Sequence, residues 1–200
     1  PIDVSDGGRD NQSFHVYASR SGYYLAKFVN TKISNRLFPT ADIGSSRHYF
    51  PLLRKAEVWL NYAEAANEAW GPTGIAPGFD KSAYDVIKTI RRVSGGINDE
   101  TYLGEMAATE DDFREVIQNE RRIELAFENH RFWDMRRCLL PLDTTVEGIR
   151  VTRSNGGFLY RVEQIEERKY HDVKFYYLPM PYSEIVKNPD MKNNMGWDNN

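Results

Sequence analysis

Cysteine is almost missing from this chain: Cys138 is the only one in 200 residues, so no disulfide can form within it. Long apolar runs are missing as well, and nothing approaches the roughly 18 consecutive apolar residues that a membrane-spanning helix needs. There is no excess of positive charge, with 26 Lys and Arg against 29 Asp and Glu, a net charge of -3. That argues against nucleic acid as a partner, since its binders carry clustered basic residues. The four histidines, His15, His48, His130 and His171, are scattered at spacings that no zinc or iron site uses, so no metal is expected. No G-x-S-x-G elbow occurs. The glycine-rich GPTGIAPG at 71–78 lacks the Lys-Ser/Thr of a phosphate loop and reads as a connector. No cofactor is implied. A signal segment and a lipobox are also missing, and Pro1-Ile2-Asp3 reads as a cut end rather than a natural start.

What is present suits one domain spanning 1–200, with enough chain to bury a core. Hydrophobic residues make up 40% and charged residues 28%, which is ordinary for a globule. Residues 1–21 are polar, lack periodicity and read as loop or a frayed edge. Tyr23 to Val29 has the bias of a short strand, and 30–49 is loop-like. A helix is expected over 51–70, where Leu52, Ala56, Trp59, Leu60, Ala63, Ala66 and Trp70 form one stripe. Gly71-Pro72 stops it. Asp80 is placed to cap a second helix that runs to about Val93, with Ala83, Ile87 and Ile90 on one face. Thr109 caps a third, whose first turn of Glu110, Asp111 and Asp112 suits the helix dipole; it is expected to reach Glu128. A further helical piece is expected over 129–139. Beyond Pro141, Phe158 to Val162 and Val173 to Leu178 alternate like the strands of a hairpin around the turn EERK. The proline-rich end allows one helical turn at Ser183 to Lys187.

The stretch Asn119 to Arg137, NERRIELAFENHRFWDMRR, carries the chemistry worth weighing. Phe113, Ile117, Glu120, Glu124 and Phe127 fall on one helical stripe, so two acids sit where apolar groups belong. A lone buried charge is too costly, so these carboxylates are paired, protonated or at work. Arg121, Arg122, Arg131, Arg136 and Arg137 are candidates to pair them, with Arg131 preferred for Glu124 over Arg121. Acid–base catalysis by Glu120 and Glu124 is the sharper reading. It suffers because glycosidase carboxylates face each other across a cleft, whereas these share one helix face. Pairing by arginines is the more economical account. Among exposed-looking aromatics able to stack on a sugar ring, Tyr23, Tyr24, Tyr49, Trp70, Phe79 and Trp197 lie in or beside loops. Tyr49 and Trp70 are kept as ligand-stacking candidates.

Four segments together carry a family resemblance. RKAEVWLNYAEAANEA (Arg54 to Ala69), SAYDVIKTIRRVSGG (Ser82 to Gly96), ERRIELAFENHRFWDMRR (Glu120 to Arg137) and YYLPMPYSEIVKNPDMKNNMGW (Tyr176 to Trp197) resemble, in order, the C-terminal part of the SusD/RagB family. These are surface lipoproteins that capture nutrients, mostly glycans. The resemblance implies a mainly α fold, with tetratricopeptide-like helical hairpins, long loops and a small β-hairpin near the C-terminus. It also implies that residues 1–200 are the C-terminal portion of a longer chain whose missing N-terminal part carries a lipid anchor. The function implied is non-catalytic binding at the outer-membrane surface, with ligand handed to a SusC-type TonB-dependent transporter. In the family the sugar site is built largely from earlier loops, so no motif transfers a sugar-contacting residue to a numbered position here. A helical-hairpin scaffold for protein partners, and a carbohydrate-active enzyme using Glu120 or Glu124, are the competing expectations.

Overall fold

The computed structural model describes residues 2–28, 50–188 and 190–197. Val29, the loop expected over 30–49 and the candidate Tyr49 lie outside the described residues. The described chain falls into two compact units, one within 48–134 and the other from residues within 1–47 and 135–200.

The first unit is helical. Its elements are α1 (Lys55–Trp70), α2 (Ala83–Gly95), α3 (Glu100–Met106) and α4 (Glu110–Glu124), and α5 (His130–Arg137) begins in it. Leu60, Ala63 and Ala66 of α1 meet Val86, Ile87 and Ile90 of α2 and Phe113, Val116 and Ile117 of α4 in one buried cluster. The alanines explain how α1 can lie against two helices at once, since a methyl group lets a neighbouring backbone come close. Side-chain bonds give the directions. Asn67 near the end of α1 donates to the Glu110 carbonyl at the start of α4 (2.9 Å), and Arg121 near the end of α4 donates to Asn61 of α1 (2.6 Å). These two helices are therefore antiparallel. Tyr62 donates to the Lys81 carbonyl just before α2 (2.5 Å), so α2 also runs against α1. Helices α1 and α2 thus form a hairpin of the expected kind, and α4 also packs antiparallel on α1.

The caps correct the expected boundaries. Helix α1 starts after Arg54, not at Pro51, and Leu52 and Leu53 are exposed. Helix α2 is capped by Ser82 rather than Asp80. The Ser82 hydroxyl accepts from the Asp85 N–H while Asp85 accepts from the Ser82 N–H, a reciprocal box that satisfies two end donors. Gly96, in the left-handed conformation, closes α2. Thr109 caps α4 as expected. Helix α4 stops at Glu124, four residues short of Glu128, and Phe127 and Asn129 take positive φ in the turn that follows. Phe127 is 64% exposed, so it leaves the stripe on which the sequence places it. Helix α3 has no counterpart in the expected elements.

The second unit is built on an antiparallel hairpin of β1 (Thr145–Ser154) and β2 (Gly157–Glu167). Its two-residue turn is Asn155-Gly156, with Gly156 supplying the positive φ of 93°. The hairpin therefore lies earlier than expected. Phe158 to Val162 does fall within β2, but its partner is 145–154. Val173–Tyr176 is a single 3₁₀ turn, not a strand, capped by the Asp172 carboxylate on the Lys174 N–H (3.0 Å). No strand forms over 23–28. Helix α6 (Tyr182–Lys187) is the short helical turn anticipated near the end. The tail closes on itself around Trp197, whose indole N–H reaches the carbonyls of Lys174 (3.0 Å) and Tyr177 (2.9 Å).

Candidate functional site

Both acids singled out from the sequence are held by arginines from elsewhere in the chain, one in α2 and one just before α1. Glu120 is 6% exposed and bonds to Arg91 of α2, which also bonds to Asp99. Burial pushes the Glu120 carboxyl above its ordinary range against the pull of Arg91, and the paired acids raise Arg91 further. Glu124 accepts from Arg54 (2.9 Å), the residue just before α1. Arg54 also takes the Glu124 backbone carbonyl (2.8 Å) and both oxygens of Glu128 (2.7 Å each). Arg121 faces a third set, bonding to Asp134 (3.2 Å) and Asn61. It bonds with neither acid of the stripe among these contacts.

The carboxylates thus act as ties between helices. A guanidinium that bonds a carboxylate favours its charged form and occupies its lone pairs. Arg54 and Arg91 fell outside the arginines considered from the sequence. The signal was weak but present, because each lies in a segment that carries the family resemblance, Arg54 at the head of one and Arg91 inside another.

The aromatic candidates separate. Trp70 ends α1 and is 48% exposed, with its ring available to a ligand. Phe79 packs on Tyr62 (ring centroids 5.1 Å apart). Trp197 is engaged edge-on by Phe175 (5.9 Å). The Tyr24 hydroxyl donates to the Asp10 carbonyl (2.7 Å) and braces a loop. Three of these rings are therefore committed to packing or bracing, and among the described candidates Tyr23 (60% exposed) and Trp70 are not shown in such a contact.

In the second unit a hollow of about 360 Å³ lies between residues 10–22 and the hairpin. Ile149 and Ile165 contribute its apolar lining, while Asn11, Gln12, Ser13 and Ser19 bring amides and hydroxyls. Asp10, Arg20, Arg150 and Glu163 add two charges of each sign. Among the described residues there is no cluster of His, Cys, Asp and Glu able to hold a metal ion, and no helix long and apolar enough to cross a membrane.

Residues 4–197 match the SusD family. The chain is 34% identical over 158 residues to SusD-like protein P2 of Formosa agariphila, a match covering 76% of this chain and 26% of that protein. With SusD-like protein P25 of the same organism it is 31% identical over 166 residues, covering 83% of this chain and 26% of that one. The fold is similar to the crystal structure of a SusD-like protein from Bacteroides fragilis, with a TM-score of 0.56 and 32% identity over 73% of this chain and 25% of the other. The chain therefore spans about a quarter of the length of these relatives.

Proposed function

This chain belongs to the SusD family, and from that premise we propose that the protein it is part of binds a nutrient, in the first instance a glycan, without chemically altering it. Binding takes place at the outer-membrane surface, and the ligand passes to a SusC-type TonB-dependent transporter over which the protein sits. The observation that best supports binding over hydrolysis is the fate of Glu120 and Glu124. Each is held by an arginine from outside α4, which suits a structural tie better than an acid or base poised over a sugar. Residues 1–200 are the C-terminal portion of this protein, and they supply helical scaffold more than ligand contacts.

Trp70 suits stacking on a sugar, because half of its surface stays open at a helix end. Tyr49 is its companion candidate. Two assays on the full-length protein test the reading. Affinity electrophoresis across a polysaccharide panel should show retardation by at least one glycan, weakened by Trp70→Ala. A reducing-end assay on the same panel should show no turnover. Hydrolysis that disappears in Glu120→Gln would overturn the proposal, and so would a protein that binds no glycan at all.

A further inference from the structure

The hollow in the second unit lies under a loop fixed at both feet to one strand. At one foot the Asp6 N–H donates to the Val151 carbonyl (2.9 Å), with Ser5 paired to Val151 as a parallel bridge. At the other the Ile149 N–H donates to the Ser21 carbonyl (2.8 Å). Gly22 makes the second foot possible, because a Cβ there would run into the Ile149 carbonyl. Between the feet the chain arches away from β1 and returns, and closed surface loops of this kind often carry function.

The arch is braced before any ligand arrives. Asn11 donates to the Val4 carbonyl (2.7 Å) and accepts from the Ser13 N–H (2.9 Å) and hydroxyl (2.7 Å). Tyr24 joins the Asp10 carbonyl to the Ser19 N–H, through its hydroxyl, at 2.7 and 3.0 Å. A wall already held in place loses little entropy when it binds.

The lining selects the ligand. Arg20 stands 3.6 Å from Glu166, and Arg150 stands 3.4 Å from Asp6 and 3.6 Å from Glu163. These are distances of charge pairing longer than a good hydrogen bond, so the planar donors remain available. Asp10 is paired with Arg9 (3.0 Å) and accepts from the Asp3 N–H (2.9 Å), while Arg20 and Arg150 are matched by Glu166, Asp6 and Glu163, so neither an anion nor a cation is favoured overall. An apolar ligand would strip water from amides and carboxylates and return nothing. A hydroxyl both donates and accepts, so it can bridge a guanidinium and a carboxylate at once. The volume equals that of about a dozen water molecules and falls within the size range of small-ligand pockets.

We propose that this hollow is a binding site for a neutral, polyhydroxylated ligand the size of one or two sugar rings, built from residues 10–22 and the hairpin. The choice of saccharide probes rests on the nutrient-binding reading; the site itself rests on the loop and its lining.

The test titrates the full-length protein with methyl glucoside, methyl galactoside, methyl mannoside and xylose, and with glucuronate and glucosamine as charged counterparts. Binding is read by calorimetry and its place by hydrogen-exchange mass spectrometry. At least one neutral sugar should bind at least roughly tenfold more tightly than its charged counterparts, slowing exchange in 9–22 and 147–166. Arg150→Ala should weaken it roughly tenfold or more. Gln12→Trp, which plugs the hollow from an exposed loop position, should abolish it, and this variant carries the test should Arg150→Ala not fold. The proposal is overturned by sugar binding that survives Gln12→Trp, by slowed exchange elsewhere alone, or by no binding of any sugar in the panel. Polysaccharide retention without binding of any small sugar in the panel would sink this site and leave the wider function standing. A neutral sugar bound here without any polysaccharide retention would do the reverse.

Discussion

Arg54 and Glu128 stand 74 residues apart in sequence and share two hydrogen bonds, Nε to Oε2 and Nη2 to Oε1, each 2.7 Å long. The same guanidinium holds the Glu124 carboxylate and its backbone carbonyl. One arginine thereby ties the start of α1 to the end of α4. It also ends α4, because the carbonyl of Glu124 finds its partner in Arg54 instead of in a further helical N–H.

Replacing Arg54 with alanine should therefore destabilise the protein by about 3–5 kcal/mol, because it removes the guanidinium that bonds two largely buried carboxylates, Glu124 and Glu128. Their side chains are only 14% and 5% exposed. Urea denaturation checks this. A double-mutant cycle with Glu128→Gln should recover part of the loss, whereas strictly additive effects would show that the pair contributes nothing.

Removing the capping box should give a pH-dependent loss. Burial alone would raise the Asp85 carboxyl, but the Ser82 hydroxyl and N–H outweigh it and hold the group below its ordinary 3.8. A carboxyl lowered by folding stabilises fully above its unfolded pKa and loses that contribution as pH falls through the folded value. Asp85→Asn should cost about 1 kcal/mol at neutral pH. The difference from the parent should shrink once the pH drops below 3.8, as read from melting curves across pH 2 to 7. A gap that widens on acidification would contradict the box.

Gly22→Ala should loosen the loop it anchors. The residue sits at φ 74° and faces the Ile149 carbonyl, so a methyl group meets both backbone strain and a clash. A cost of roughly 1–3 kcal/mol is expected, concentrated in 10–22. Faster hydrogen exchange there with unchanged exchange in 83–95 is the signature.

Trp197→Ala should release the tail locally. The indole joins two carbonyls and sits beneath Lys174 (5.2 Å), so its loss should expose 174–194 to proteases. Helical exchange rates in 55–70 should stay as they were. Global unfolding in this variant would mean that the tail supports more than itself.

The helices were legible because their signals are local: the stripe of Leu60, Ala63 and Ala66, the Thr109 cap and the Gly96 stop all act within a few residues. The end of α4 was not legible. It is decided by Arg54, which stands 70 residues from Glu124. The same distance hid the partner of Glu124, since nearby arginines looked sufficient and the one at 2.9 Å came from α1. The hairpin failed for a different reason. Asn155-Gly156 is the strongest short-range turn signal in that stretch, and the expectation of a turn at the charged EERK passes over it. The hollow had no sequence signature at all, because the residues that line it come from the loop and from both strands.

Helix α1 is pinned at both ends by groups that point along different directions: Arg54 at its head on Glu124 and Glu128, Asn67 and Glu68 at its foot on Glu110 and Arg114. A slide of one helical turn, about 5.4 Å, would break every one of these bonds together. The helix therefore behaves like a bolt shot home at both ends, and force applied along its axis should be met by holding fast until the whole unit gives way at once.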